Sequence, residues 1–343
     1  MIRPAFLIFF VVFLVNACDG GGPSASVGLP PEGAVDSIPA PDTLPSDSIP
    51  TDSVPPPPPP DTVGQPGDSV LPPYTPVHVG MPYGPTQQEA KDFSLDFSGT
   101  LVPGNDSIML EILEAARRKN LRLFIHFTGN EVNYRDENGF NFEKWKARVD
   151  RFRHMDFSSY IADGTLMGHR IMDEPADRNN WNGHLVSLED IEAMAKYSKE
   201  IWPDLPAVIR AFPSYLKGYQ FQYLDAAWAQ YTDRFGPVDQ FIATNVQEAK
   251  AAGLALIAGL NLLNGGSGES GIKGRKGPAR QLWGMSAGEI AKWGNVIMDD
   301  PYICAFLMFE YNGEYLAHQE IKDALLELGK KAKDRPIRAC RRQ

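Results

Sequence analysis

Between Thr75 and Arg335, short apolar runs alternate with longer stretches whose apolar residues recur every three or four positions. The short runs predict strands at Val77–Met81, Ser94–Ser98, Arg122–Phe127, Leu166–Asp173, Ala207–Phe212, Leu224–Tyr231, Leu254–Asn261 and Ile303–Glu310. The intervening stretches predict helices starting near Ser107, Glu143, Ser187, Ser214, Val238, Ser286 and Ala317. Ile108, Ile112, Leu113 and Ala116 keep the spacing of one buried helix face. Ser187-Leu188-Glu189-Asp190, and Ser286 followed by Glu289, are capping-box patterns that mark helix starts. Strands alternating with amphipathic helices over roughly 260 residues match a parallel α/β fold, and eight strands make a (β/α)8 TIM barrel. The count reaches eight only with Ser94–Ser98 included. A doubly wound open sheet is the alternative, although no GxGxxG follows the first strand.

The first 75 residues follow neither pattern. Residues 1–17 have a positive start at Arg3 and a wholly apolar run from Ala5 to Val15, too short for a relaxed membrane span, as expected of an export signal. Residues 18–75 repeat Asp-Ser/Thr-apolar-Pro, as at Asp36-Ser37-Ile38-Pro39 and Asp47-Ser48-Ile49-Pro50, and then run Pro55 to Pro60. Proline fixes φ and withholds an N–H, so this segment is expected to be a disordered, semi-rigid tether before a single domain at 76–343. The junction Val15-Asn16-Ala17-Cys18 resembles the lipobox of bacterial lipoproteins, with Asn16 departing from the commoner small residue. That resemblance implies lipidation at Cys18 and a protein held on a membrane of the bacterial cell envelope, facing periplasm or exterior. An ordinarily secreted chain is the alternative.

The 343 residues carry a formal net charge of -10, much of it in the tether. The globular part has no basic stripe, so nucleic acid is not an expected partner. With Cys18 assigned to the anchor, Cys304 and Cys340 remain, in a compartment where disulfides persist. Cys304 starts the last strand, and the final helix runs antiparallel to that strand, returning the chain to the bottom of the barrel. A Cys304–Cys340 disulfide is therefore expected. The alternative is a small buried residue at 304 and a frayed tail at 340. By strand alternation Cys304 shares a face with Glu310.

The most informative stretch for chemistry is Gly168 to Pro175, GHRIMDEP. It brings Asp173 and Glu174 to a strand end, where Pro175 stops the ladder and where parallel barrels build active sites. The clan of barrel glycosidases that works with two glutamates carries Asn-Glu-Pro or similar at the end of strand four, and Asp173-Glu174-Pro175 resembles it. The resemblance implies that Glu174 is the acid/base, and the charge of Asp173 would help it keep a proton. The clan's nucleophile closes strand seven. Here that strand ends Asn261-Leu262-Leu263-Asn264, with no carboxylate. Glu310, in the run CAFLMFEYNGE, is the best second carboxylate; a salt bridge to Arg210 is its structural alternative. Glycoside hydrolysis needs such a pair, one to protonate the leaving oxygen and one to attack or to activate water.

Other strand ends offer His126, Arg210, Trp228, Tyr231 and Asn261 as sugar contacts, and Trp181 lies in the polar turn just past Pro175. The segment Gly265 to Pro278, GGSGESGIKGRKGP, is a candidate lid. It lacks the Gly-Lys-Ser/Thr of a phosphate loop, no Gly-x-Ser-x-Gly elbow occurs, and the six histidines show no metal spacing, so no cofactor or metal is called for. Two functions follow. One is a membrane-anchored glycoside hydrolase acting on a poly- or oligosaccharide. The other is a non-catalytic carbohydrate- or envelope-binding lipoprotein on a hydrolase-like barrel.

Overall fold

The computed structural model describes residues 98–276, 281–310, 312–333, 335 and 338–342. The signal segment, Cys18, the tether, the strand expected at Val77–Met81 and nearly all of Ser94–Ser98 lie outside the described residues.

Seven parallel strands form one sheet: β1 Gly99–Pro103, β2 Arg122–His126, β3 Leu166–Asp173, β4 Ala207–Arg210, β5 Ala226–Tyr231, β6 Ala255–Leu260 and β7 Ile303–Phe306. Their spatial order is their chain order. No reversal of strand order occurs among them, which separates this winding from the doubly wound alternative. A strand is found at Gly99–Pro103, just past the candidate at Ser94–Ser98, and the one expected to reach Glu310 pairs regularly only to Phe306, continuing as a bridge between Asn261 and Phe309.

Between the strands run α1 Met109–Arg118, α2 Phe142–Asp150, α3 Ser158–Ala162, α4 Leu188–Ile201, α5 Pro213–Leu216, α6 Val238–Ala251, α7 Ala287–Asp299, α8 Gly313–Leu316 and α9 Gln319–Lys333. Helix α1 buries Met109, Ile112, Leu113, Ala115 and Ala116, the face its spacing predicts. Ser187 and Ser286 cap α4 and α7 by accepting from the Asp190 and Glu289 N–H groups. Glu289 returns a bond from the Ser286 N–H and also accepts from the Ser267 N–H at 2.8 Å, so this cap pins the glycine-rich segment. That segment forms an antiparallel hairpin of Lys273–Lys276 with Gln281–Trp283.

The sheet has two apolar faces. One packs on the helices through residues such as Val102, Ile125, Ile209, Ala227, Leu256 and Phe306. The other is a separate cluster that takes a residue from every strand, among them Leu101, Phe124, Met167, Val208, Trp228, Ile257 and Ala305. The Arg210 guanidinium carbon on β4 lies 5.8 Å from the Phe309 ring beyond β7. Three flat strand spacings would separate those positions by about 14 Å. The sheet is therefore curled, and the second cluster is the inside of the curl. Gly259 permits the close approach of β7: a Cβ there would lie 1.8 Å from the Leu307 carbonyl oxygen.

Cys304 and Cys340 form a disulfide with Cα atoms 5.2 Å apart, and both are members of the interior cluster. A register shift between Ile303 and Ala305 brings Cys304 inside together with Ala305. Beyond it the inward positions are Leu307 and Phe309, while Phe306 and Met308 join the helix-facing layer. The simple alternation counted from Cys304 along this strand is therefore broken by a bulge between Ile303 and Ala305. The tail is tied further by the Arg342 N–H donating to Asp225, whose carboxylate also pairs with Lys199 at 2.7 Å and accepts from the Ala207 N–H.

Closing a loop with a sequence separation of 36 residues contributes about 4 kcal/mol in the loop-entropy model. Cys340→Ser is expected to lower the unfolding free energy by about that amount, and reduction of the wild type should match it. A denaturant melt of both checks this; coincident curves for oxidised and reduced wild type would show that the bridge adds no stability.

Candidate functional site

On β2 to β5 the interior face changes character along the strand. Its lower positions are apolar, whereas its carboxyl-end positions are His126, Arg170, Asp173, Arg210 and Gln230. Buried polar groups must be paired, and these pair with one another. Asp173 and Arg210 are register partners on β3 and β4. Arg210 Nη1 donates to Asp173 Oδ1 at 2.7 Å and lies 2.8 Å from Glu174 Oε1. Its Nε and Nη2 donate to Gln230 Oε1 at 3.2 and 3.0 Å. Arg170 Nη1 donates to Asp173 Oδ2 at 2.7 Å, and its Nη2 donates to His126 Nδ1 at 2.5 Å. An arginine can only donate, so the His126 proton sits on Nε2 and is given to Thr128 Oγ1 at 2.8 Å. One network thus crosses the end of the sheet from β2 to β5.

The network separates the charge states of its members. Burial raises the proton affinity of Asp173, but Arg210 and Arg170 outweigh it and hold the carboxyl below the ordinary range. Burial disfavours the charge on Arg210, yet Asp173 and Glu174 overcome that and hold it protonated. His126 is pushed well below the usual histidine range, first by burial and then by Arg170, so it is neutral. Glu174 moves the other way: burial raises it, Arg210 opposes, and Asp173 adds to the rise.

Glu174 also has an unusual backbone. Its φ is +40°, in the left-handed region that non-glycine residues rarely occupy. Its N–H donates to the Arg210 carbonyl at 3.0 Å, and its carbonyl accepts from Trp181 Nε1 at 2.9 Å and from the Asp177 N–H at 3.0 Å. Asn180 Nδ2 reaches Glu174 Oε2 at 3.4 Å. Such a conformation costs on the order of 1–3 kcal/mol and persists only where its surroundings determine it.

A third carboxylate, Glu131, which sequence reasoning missed, stands beside this pair. It opens a short 3-10 turn, Glu131–Asn133, beyond β2, capped by Asn130 accepting from the Val132 N–H. Burial raises its proton affinity, and the charges of Asp173 and Glu174 raise it further. Two loops meet here. Tyr134 and Phe140 pack on Trp181 with ring centroids 5.8 and 6.0 Å apart; Arg135 donates to the Asn180 carbonyl, and Asn182 donates to the Asp136 carbonyl.

The expected sugar contacts divide into two groups. His126, Arg210 and Asn261 lie at the carboxyl end of the sheet, where Asn261 Oδ1 accepts from the Asn264 N–H. The aromatic faces are covered by protein. Trp181 is packed between the two loops, Trp228 lies in the interior cluster, and Tyr231 packs against Phe241 and Trp293 in the helix-facing layer. Glu310 follows Phe309, whose ring faces Arg210, and so lies at the same end of the sheet, half-buried. Among the described residues, no group of three or more His, Cys, Asp or Glu side chains is arranged to hold a metal ion, and no helix is long and apolar enough to cross a membrane.

No protein-family model matches the chain, and no curated protein sequence does. Among solved structures it is similar to a β-glucuronidase from an uncultured Clostridium species, with 10% identity, 74% of this chain and 50% of that one covered, and a TM-score of 0.49. It is also similar to a β-D-glucuronidase from Dictyoglomus thermophilum (11% identity, 76% and 51% covered, TM-score 0.48). An endocellulase from Pyrococcus horikoshii, in complex with cellotetraose, gives 12% identity, 70% and 86% covered, and a TM-score of 0.45. The chain spans about half the length of the two glucuronidases.

Asp173 has a folded value below the ordinary range. Its contribution to stability is therefore present at neutral pH and is lost as pH falls through that lowered value. Asp173→Asn leaves buried Arg170 and partly buried Arg210 without their shared anion and is expected to cost about 3 kcal/mol at neutral pH. It should also flatten the acid limb of the stability profile. Chemical denaturation from pH 7 downward checks this; an unchanged acid limb would mean that other groups govern acid unfolding.

Proposed function

We propose that this protein is a glycoside-hydrolase-like enzyme of the cell envelope, acting on a poly- or oligosaccharide through carboxylate acid/base chemistry centred on Glu174. The observation that carries this reading is the contrast between two adjacent residues at one strand end. Asp173 is held ionised by two arginines, while Glu174 has a raised proton affinity on a strained backbone fastened at both its N–H and its carbonyl. Environments that push two carboxyls apart in this way are how acid and base roles are divided. Glu310, at the same end of the sheet, is the proposed second carboxylate. The export signal and lipobox-like Cys18 support attachment to a membrane, with the proline-rich segment as spacer.

A second reading is favoured by one contact. Arg210 lies 2.8 Å from Glu174 Oε1 and so favours its charged form, and the end of β6 offers Asn261 and Asn264 where the two-glutamate clan has its nucleophile. On that reading the site binds carbohydrate without cleaving it.

A panel of polysaccharides and aryl glycosides separates the two. On a substrate found this way, Glu174→Gln is expected to lower turnover by about 10²–10⁴ while binding persists. Unchanged turnover would remove Glu174 from the chemistry, and binding without turnover across the panel would favour the second reading. Cys18→Ala is expected to move the protein from the membrane to the soluble fraction on fractionation; retention on the membrane would exclude the lipid anchor.

A further inference from the structure

Six tryptophans occur in the sequence, and five of them are buried: Trp145, Trp181, Trp202, Trp228 and Trp293. The sixth, Trp283, is half-buried and belongs to the glycine-rich hairpin that follows β6. Of the tryptophans, it is the one that keeps appreciable ring surface outside the core.

Hydrogen bonds fix where this ring stands. The Gly266 N–H, two residues past Asn264, donates to the Trp283 carbonyl at 3.0 Å. The Met285 N–H donates to the Leu262 carbonyl at 2.7 Å, and the Leu262 N–H donates to the Phe309 carbonyl at 2.7 Å. Trp283 is therefore at the carboxyl end of the sheet, on the β6–β7 side, a short hydrogen-bonded path from Phe309 and its neighbour Glu310. Ser270 Oγ donates to the Gly284 carbonyl at 2.6 Å, and Glu289 holds the Ser267 N–H. Gly268 backs the indole: a Cβ there would lie 3.4 Å from ring atoms Cδ1 and Nε1. The ring is thus held in place by its own loop, as a preorganised binding surface should be.

Across the hairpin, Trp283 is the register partner of Lys273. Partners in an antiparallel pair share a face, with Cβ atoms about 5 Å apart. The opposite face lies on the end of the sheet: a Cβ at Gly274 would come 1.9 Å from the Leu263 carbonyl oxygen. Lys273 and Trp283 are therefore on the outer face, and Lys273 is exposed. No carboxylate pairs with Lys273 among the described residues. The surrounding sequence carries one sign of charge. From Ser270 to Gly288 there is no acidic residue, whereas Lys273, Arg275 and Lys276 fall within four positions of a chain whose net charge is -10.

We propose that Trp283 and Lys273 form a subsite for an acidic polysaccharide, in which a sugar ring lies on the indole and its carboxylate or sulfate meets the Lys273 ammonium. The aromatic face binds the C–H side of a pyranose by burial of apolar surface, which is indifferent to charge. The cation beside it supplies the selection: an ammonium on a flexible stem attracts an anion without demanding one geometry. This deepens the carbohydrate reading of the mouth and rests on it for the class of ligand.

Calorimetric titration of the full chain with polygalacturonate, dextran sulfate and hydroxyethyl cellulose tests the subsite. At least one polyanion should bind more tightly than the neutral hydroxyethyl cellulose, and which of the two does so tells carboxylate from sulfate. Trp283→Ala is expected to weaken that binding about tenfold or more, the usual loss when an aromatic anchor is truncated. Lys273→Ser is expected to weaken it about two- to fivefold at low salt, an effect that high salt removes. The polyanion should also shield wild-type tryptophan emission from acrylamide, because the other five rings are buried already. Preference for hydroxyethyl cellulose, or binding to none of the three, overturns the proposal. So does polyanion binding that survives Trp283→Ala, which would be simple ion exchange. Should Trp283→Ala not fold, shielding from acrylamide and the exposed Lys273→Ser still decide. A hydrolase of neutral glycans fails this test while keeping its activity, and a protein that binds polyuronate without cleaving it passes, so the subsite and the catalytic reading fail separately.

Discussion

The carboxyl end of this sheet is organised around one largely buried ion pair, Asp173 with Arg210. Removing either ion from water carries a penalty of several kcal/mol, and their attraction offsets it only with close geometry and every remaining donor satisfied. The sheet supplies that geometry directly, because the two residues are partners in the β3–β4 register. A slip of one residue would turn Arg210 into the helix layer and leave Asp173 with Arg170 alone. The remaining donors set the rest of the network: Gln230 takes the far side of Arg210, and Arg170 and His126 complete Asp173 from the other side. Polar residues on four strands are therefore fixed by a single requirement of charge compensation.

The same requirement divides the site into a rigid, charged floor and two carboxyls above it whose ionisation is open to adjustment. Asp173 is locked in its charged form, and the arginines have no protonation chemistry of their own. What can change with pH lies on the loops, at Glu174 and Glu131. This is the division expected where a scaffold positions loops that carry function.

Much of the architecture was readable because the strands are apolar on both faces and end at clear punctuation. Leu166–Asp173 has the limits its sequence predicts, since the apolar residues Leu166, Met167, Ile171 and Met172 lead into two charges and a proline. The first described strand, Gly99–Pro103, lies just past the candidate at Ser94–Ser98 and carries no alternation of its own. The true strand starts at Gly99, where a Cβ would lie 2.2 Å from the Arg122 carbonyl oxygen, a close approach that no local pattern reveals. The Cys304–Cys340 pairing is legible from the cysteine count and the return of the last helix, but the bulge beside Cys304 is not, because it shifts the alternation without leaving a mark in composition. Glu131 was missed because a three-residue turn has no periodicity. The signal available was Asn130, a good cap, directly after the strand-end turn Thr128-Gly129. Trp181, Trp228 and Tyr231 suggested sugar platforms by residue type, but whether an aromatic face is open depends on neighbours far away in sequence.

The fastening of the two loops has a consequence for how this site could have changed over time. Trp181 packs on Tyr134 and Phe140, and the arginine and asparagine bonds to backbone carbonyls run between the loops in both directions. Replacing either loop alone would strand buried aromatics and donors belonging to the other. The segments 127–141 and 174–186 are therefore a single heritable module, and diversification of this mouth would proceed by exchanging both together or by point changes that leave their seam intact.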